Sequence, residues 1–319
     1  GESSMRTKKA KKRNFFKDLI YNRQLYLMLL PGLIMYILFN YLPMAGLVLA
    51  FKKINFRQNI FLSPWNGFDN FKFMTNSASL WHAVRNTLLY NIAIVFAGLF
   101  LSIALAILLD LIRGKMAKKL YQTVMIMPHF LSWVIVSYLV FGFLGLESGY
   151  LNHTILPAIG IEPINWYQDP APWPAIIIIV YFWKEWGYSS VIYSAALSGV
   201  DIELYEAADM DGASIWQKLM NVTLPAIKPM ITTMLILKVG GILTTDMGLF
   251  YQVPLNTSQL YSVTDVLSTY TYNLMMNGGS SSMGMASAAS FVQSIISFFL
   301  VLGANKLVTV IDKDSEGAI

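Results

Sequence analysis

Six long apolar runs constrain this chain more than any other feature of its sequence. They cover roughly 25–51, 87–109, 120–146, 174–199, 229–252 and 286–311. A helix needs about 20 mainly apolar residues to cross the hydrocarbon core of a bilayer. Every backbone polar group must be hydrogen-bonded within the chain there, and a helix achieves this by itself. The sequence therefore predicts an all-α, polytopic membrane protein with six transmembrane helices.

The overall composition agrees with this prediction. Apolar residues make up 55% of the chain and charged residues 13%, whereas soluble domains average about 45–50% and 25%. The 319 residues include no cysteine, which excludes disulfides, thiolate metal sites and a cysteine nucleophile. A soluble enzyme with a large core is excluded as well.

The distribution of Lys and Arg predicts the orientation, because cytoplasmic flanks of membrane helices are enriched in these residues. With the N-terminus inside, the inner segments carry eight, four, two and two basic residues, sixteen in all, and the outer segments carry five. We therefore expect both termini to be cytoplasmic. The expected parts are a basic segment over 1–24, a permease-like membrane domain over 25–311 and a tail over 312–319. The basic segment is better interpreted as a flank near anionic lipid than as a nucleic-acid site.

The inner loop over 200–228 differs from an ordinary connector. Its composition favours helix, with Asp201 placed to cap a first helix. Gly212 suits a tight turn, and Ser214 with Gln217 has the spacing of a capping box for a second helix. The pattern predicts a helix-turn-helix at the membrane surface.

Two prolines, Pro225 and Pro229, are expected to end the second helix before the fifth span. The first half of the loop is acidic. From the residues alone, the loop is either a solvated amphipathic connector or a docking site for a cytoplasmic partner.

A family resemblance appears in this loop. The string Glu206-Ala207-Ala208, then Gly212, Val222 and Leu224-Pro225 resembles the EAA signature of binding-protein-dependent ABC-importer permeases, which usually have Ile where Val222 stands. We call residues 200–228 the EAA loop. The segments 120–133 and 303–307 resemble the maltose-type sugar-permease branch. The segment 23–47 is similar to the bacterial subgroup that handles oligosaccharides and polysaccharide fragments.

The resemblance implies a type I ABC-importer permease in a bacterial cytoplasmic membrane, crossing it several times. The implied partners are a second homologous permease, two cytoplasmic ATPase subunits, an external solute-binding protein and a carbohydrate. ATP and Mg²⁺ are expected on the ATPase. This chain is expected to be no enzyme and to hold no cofactor or metal, because it lacks a G-x-x-x-x-G-K-[ST] loop and an H-E-x-x-H pattern. The residues expected to couple to the ATPase are Glu206, Ala207, Ala208, Asp211, Gly212, Leu224 and Pro225.

Ionisable residues inside membrane spans are costly and usually face a bundle interior or a wet cavity. Counting ~1.5 Å per residue places Glu185 and Lys238 about 16 Å and 14 Å into the membrane, near its midplane. A Glu185–Lys238 ion pair is therefore expected, while Lys184, adjacent to Glu185, is expected on another helix face. His129 lies in the third run. The pair could be structural, line a sugar path or contact the second permease.

The predicted substrate path combines these charges with neighbouring aromatic rings. It comprises Lys184, Glu185, Trp186, Tyr188, Tyr193, Lys238 and Asp246. Trp and Tyr in membrane helices more often pack or lie at the interface than bind ligand. Further polar candidates are Asn91, Tyr138, Thr244, Thr245 and Gln293. The alternative function is a stand-alone secondary transporter or channel that uses the midplane charges as an ion relay.

Overall fold

The computed structural model describes residues 21–57, 59–112 and 114–311, with side chains up to Lys306. Most of the predicted segments 1–24 and 312–319 lie outside the described residues. The principal helices are α1 (Arg23–Phe51), α2 (Ala78–Asp110), α3 (Lys115–Phe130), α4 (Trp133–Leu144), α5 (Trp173–Ser198), α6 (Ile202–Met210), α7 (Ile215–Gly240), α8 (Met247–Gln252), α9 (Leu267–Asn277) and α10 (Gly279–Ile311).

The apolar helices match the predicted architecture. In the described part of the chain, α1, α2, α5, α7 and α10 are each long and apolar enough to span a membrane, and α3 with α4 forms a sixth, bent candidate. The only extended pairing among the described residues is one isolated bridge between Lys52 and Trp65. The prediction of an all-α polytopic protein is confirmed.

The third span is broken, contrary to the expectation of a single helix. Helices α3 and α4 meet at an angle of 97°, whereas the run 120–146 was expected to be one helix. Pro128 lacks the backbone N–H that a continuing α-helix needs, and the chain tightens into a 3₁₀ turn over Met127–Phe130. Leu131 is extended at φ −73° and ψ 137°, and the hydroxyl of Ser132 then accepts from the N–H of Ile135 to start α4.

The fifth span begins and ends earlier than predicted. The run 229–252 was expected to span, and Pro225 and Pro229 were expected to precede it. Instead α7 continues through both prolines and ends at Gly240. A π-helical turn over Leu219–Thr223 places Pro225 in the first turn of the α-helical segment that follows, where the missing N–H is tolerated. Pro229 lies inside that segment.

The caps of the EAA loop form as predicted. The carboxylate of Asp201 accepts from the N–H of Glu203 and begins α6. Ser214 and Gln217 form a reciprocal capping box at the start of α7. Gly212 has a φ of +71°, the left-handed conformation that glycine adopts without strain. The predicted helix-turn-helix is therefore present.

Two of the three buried apolar clusters in the described part of the chain lie at opposite ends of the bundle. One lies at the end away from the EAA loop and joins α2, α4, α5 and α8 through Tyr90, Val136, Trp173 and Leu249. The other lies at the EAA-loop end and joins α2, α5 and α7. Between the clusters the helices separate and leave a cavity.

The outer surface of the bundle is apolar. Of the described residues of α1, only Leu49 and Ala50 are buried. Large side chains such as Phe39, Phe100 and Phe299 are exposed by 72%, 70% and 65%. Apolar surface of this extent requires a nonpolar surrounding, so the exposed faces of the helices fit lipid.

Candidate functional site

A cavity of about 500 Å³ lies among α2, the α3–α4 bend, α5, α7 and α8. It is lined by Asn91, Ile94, Val95, His129, Trp133, Tyr181, Lys184, Glu185, Leu237, Lys238, Gly241, Thr244, Asp246, Leu249 and Phe250. Four of the predicted path residues therefore meet in one place: Lys184, Glu185, Lys238 and Asp246.

Glu185 is the centre of a charged network in this cavity. One carboxylate oxygen lies 3.0 Å from the ammonium of Lys184, and the other lies 2.8 Å from Nδ1 of His129. The prediction that Lys184 and Glu185 point apart is wrong. Helix geometry sets the directions of the Cβ atoms, but two long side chains on adjacent residues can curl toward each other.

The predicted Glu185–Lys238 ion pair does not form. Both residues line the cavity, but within the described part of the chain no acidic oxygen lies within 4 Å of the Lys238 ammonium. The imidazole of His129 takes the place predicted for Lys238. Its ring stacks on Tyr188 with centroids 4.0 Å apart and planes 5° apart, which fixes its orientation.

Asp246 lies beyond the end of the fifth span, at the start of α8. Its carboxylate accepts from the indole N–H of Trp133 at 2.7 Å and from the backbone N–H of Gly248 at 2.8 Å. A Cβ on Gly248 would lie 2.2 Å from the Trp133 ring, so glycine is needed for this contact. The Asp246–Trp133 contact ties α8 to the start of α4.

A close helix crossing positions His129 and Glu185. Helix α5 passes α3 at Gly187, where a Cβ would lie 1.9 Å from the carbonyl oxygen of Met125. The ammonium of Lys184 donates to the carbonyl of His129 at 2.9 Å, just before the break in the span. The bend of the third span and the charged network of Glu185 therefore depend on the same contacts.

Three predicted path residues do not line this cavity. The indole N–H of Trp186 donates to the carbonyl of Leu101 at 2.7 Å, and Tyr193 is buried in the cluster at the EAA-loop end. Both contribute instead to a narrow adjoining cavity of about 40 Å³ between α2 and α5. Tyr188 contacts His129 only through the ring stack.

Sequence reasoning missed the aromatic part of the cavity. Trp133, Tyr181 and Phe250 line it, and Lys184 lies 4.8 Å from the centre of the Trp133 ring. The Pro128-His129 dipeptide was the available signal, because a proline and a titratable residue together inside an apolar run point to a functional helix break.

The EAA loop presents most of the residues predicted for coupling. Glu206, Ala207, Asp211 and Gly212 are exposed and Ala208 is half-buried. Leu224 and Pro225 lie on α7 itself, where Leu224 packs against the cluster at the EAA-loop end. Tyr205 anchors α6 through a 3.0 Å hydrogen bond to the hydroxyl of Thr223 in the π-helical turn.

Residues 98–314 match the family model described as the binding-protein-dependent transport system inner membrane component. The chain belongs to this family. It is therefore a multi-pass membrane permease and a transport component rather than an enzyme. Membership disfavours the alternative of a stand-alone carrier.

Two relatives cover most of the length of this permease. Protein LplB of Bacillus subtilis is 36% identical over 92% of this chain and 91% of its own. The polygalacturonan/rhamnogalacturonan transport system permease protein YteP of the same organism is 36% identical over 94% of this chain and 92% of its own.

A solved structure is also similar to the permease. It is a bacterial ABC transporter involved in the import of the acidic polysaccharide alginate, with 34% identity and a TM-score of 0.83 over 94% of this chain and 100% of that one. A second structure shows a bacterial alginate transporter in complex with a periplasmic protein bound to an alginate pentasaccharide, at 32% identity and a TM-score of 0.84 over 95% of this chain and 100% of that one.

Proposed function

We propose that this permease is the membrane subunit of an ATP-driven importer and that its cavity receives an oligosaccharide released by an external solute-binding protein. Two similar proteins support a carbohydrate: YteP is named as a polygalacturonan/rhamnogalacturonan permease, and one solved structure is a transporter involved in the import of the polysaccharide alginate. The complex of the alginate transporter with its periplasmic protein supports delivery by a binding protein.

The cavity is the observation that carries this proposal. Its volume of about 500 Å³ lies in the usual range for small-molecule sites, about 300–1,000 Å³. The rings of Trp133, Tyr181 and Phe250 offer apolar faces to the C–H faces of a sugar. Charged and amide groups around them can bind hydroxyls. Leu237 is 57% exposed beside the cavity, which fits a second permease subunit that completes the path.

Coupling to ATP hydrolysis is proposed at the EAA loop. The loop combines the exposed carboxylate of Glu206 with exposed apolar side chains, Met210 at 89% and Trp216 at 65%. Exposed apolar surface rimmed by charge is typical of a docking site. ATP and Mg²⁺ would bind to the ATPase that docks here. Gly212→Pro should release that ATPase, because proline cannot adopt the positive φ of this position.

The orientation is part of the proposal: the termini, residues 110–119 and the EAA loop are cytoplasmic. Because the chain has no native cysteine, single cysteines report it directly. An impermeant thiol reagent on intact cells should label Met276→Cys and spare Met210→Cys, both of which are exposed positions. The opposite labelling pattern would refute the orientation.

The function is tested in a reconstituted complex. The permease, its sister subunit, the ATPase and the cognate binding protein are placed in nanodiscs, and ATP hydrolysis is measured with a panel of oligosaccharides. We expect at least one oligosaccharide to stimulate hydrolysis, and only when the binding protein is present. Hydrolysis unaffected by every carbohydrate would reject the proposed substrate class.

A further inference from the structure

The two carboxylates of the cavity already have partners. Glu185 accepts from Lys184 at 3.0 Å and contacts His129 at 2.8 Å, one group on each oxygen. Asp246 likewise accepts on both oxygens, from the indole of Trp133 and from a backbone N–H. Neither carboxylate is oriented toward an additional cation.

The two ammonium groups differ. Lys184 is buried, with a side chain 7% exposed, and it donates to Glu185 and to the carbonyl of His129. Lys238 lines the cavity from the last turn of α7, yet it has no hydrogen-bond acceptor or acidic partner among the described residues. Its position near a helix C-terminus favours a cation, but only weakly.

The backbone beside Lys238 is held in place. The side-chain amide of Asn91 on α2 donates to the carbonyls of Ile242 at 2.7 Å and Thr244 at 3.2 Å, in the turn that follows α7. The amide of Gln293 on α10 donates to the carbonyl of Leu243 in the same turn at 2.7 Å. The Lys238 ammonium therefore projects from a helix end whose following turn is fixed by hydrogen bonds, and a binding group needs such a rigid support.

An ionisable side chain within a membrane bundle is costly without a partner. Building on the proposed function, we propose that Lys238 binds a carboxylate of the transported oligosaccharide, so that this permease selects sugars containing uronic acid. A carboxylate supplies the charge that the cavity lacks around Lys238, and its hydrogen bond to the ammonium is charge-assisted. A neutral sugar leaves the cation unmatched.

The test compares matched substrates on the reconstituted complex with its binding protein. Tetramers of galacturonate, mannuronate and glucuronate are screened, and the strongest stimulator of ATP hydrolysis is then compared with its own methyl ester. The measured quantity is the ratio of the concentrations of ester and acid that give half-maximal stimulation. Because the binding protein is the same throughout, its own preference cancels between permease variants.

The decisive variant uses the absence of native cysteine in this chain. In Lys238→Cys, the ratio should fall by a factor on the order of 10–100, the range expected for one charge-assisted hydrogen bond. Modification with an aminoethyl thiosulfonate restores a positive charge in the assembled complex and should restore the ratio. A sulfonatoethyl reagent adds a negative charge and should not restore the ratio. Lys238→Arg keeps the charge and should retain the preference, and reagent-treated wild-type complex is the control.

Each other outcome rejects the inference. An unchanged ratio in Lys238→Cys, or stimulation by neutral tetramers alone, overturns the role of Lys238 while leaving sugar transport in place. Loss of the sister permease from Lys238→Cys, regained with the aminoethyl group, assigns the cation to a subunit contact instead. If no carbohydrate stimulates hydrolysis, the proposed function fails and this inference fails with it.

Discussion

Replacing Glu185 by Gln tests whether the charged network holds the broken span against α5. Glu185, Lys184 and His129 have side chains exposed by only 19%, 7% and 28%. Removing one partner of a buried ion pair costs about 3–5 kcal/mol, because the other charge stays buried. Here Lys184 keeps the carbonyl of His129 and the ring of Trp133. We therefore expect a smaller loss of about 2–3 kcal/mol in the free energy of unfolding.

A loss of that size corresponds to a decrease of roughly 3–5 °C in Tm for a chain of 319 residues, measured on purified protein in detergent. Asp69→Asn is the matched control, because Asp69 forms a 2.6 Å ion pair with Lys72 whose side chains are 55% and 78% exposed. Such surface pairs contribute about 0–1 kcal/mol. Equal Tm values for wild type, Glu185→Gln and Asp69→Asn would show that the network does not stabilise the bend, and would refute the argument from burial.

Three further predictions concern other parts of the molecule. Gly187→Ala should lower Tm, since its Cβ would meet the Met125 carbonyl at 1.9 Å, whereas Gly142→Ala, which meets nothing within 4 Å, should leave Tm unchanged or raise it. Burial raises the pKa of Asp265, between α8 and α9, to about 6 from 3.8, so stability is lost as the pH rises through that range. Asp265→Asn should therefore stabilise the protein by about 2–3 kcal/mol at pH 8 and by roughly half as much at pH 5, read from Tm at both values. Ala208→Trp should place a bulky ring on the EAA loop and reduce copurification of the ATPase at least tenfold, with the permease still in the membrane. Normal copurification would identify the loop as a solvated connector.

Local signals predicted much of the fold. The apolar runs identified the helices because their lengths match the bilayer. The capping box of Ser214 and Gln217 and the turn at Gly212 were also predicted correctly, since each depends on residues no more than three or four positions apart. The prolines of α7 were misinterpreted, because Pro225 directly follows a π-helical turn and Pro229 is tolerated inside the helix, and no residue pattern predicts either outcome.

The candidate site was only partly predictable. The cost of charge in a membrane singled out Glu185 and Lys238, and the structure brings both to one cavity. The partner of Glu185 was not predictable, because His129 is 56 positions away in sequence. The distance between them depends on how closely α3 and α5 cross.

The sequence by itself determined that this chain is a helical membrane protein with a capped EAA loop, because hydrophobic length and helix caps are properties of short segments. The tertiary structure decided the partners of the buried charges. A 97° break in the third span and a glycine crossing at Gly187 bring His129 onto Glu185. Trp133 contacts Asp246 across 113 positions of sequence. These contacts depend on the relative placement of whole helices, and that placement leaves Lys238 as the cation without a partner among the described residues that line the cavity.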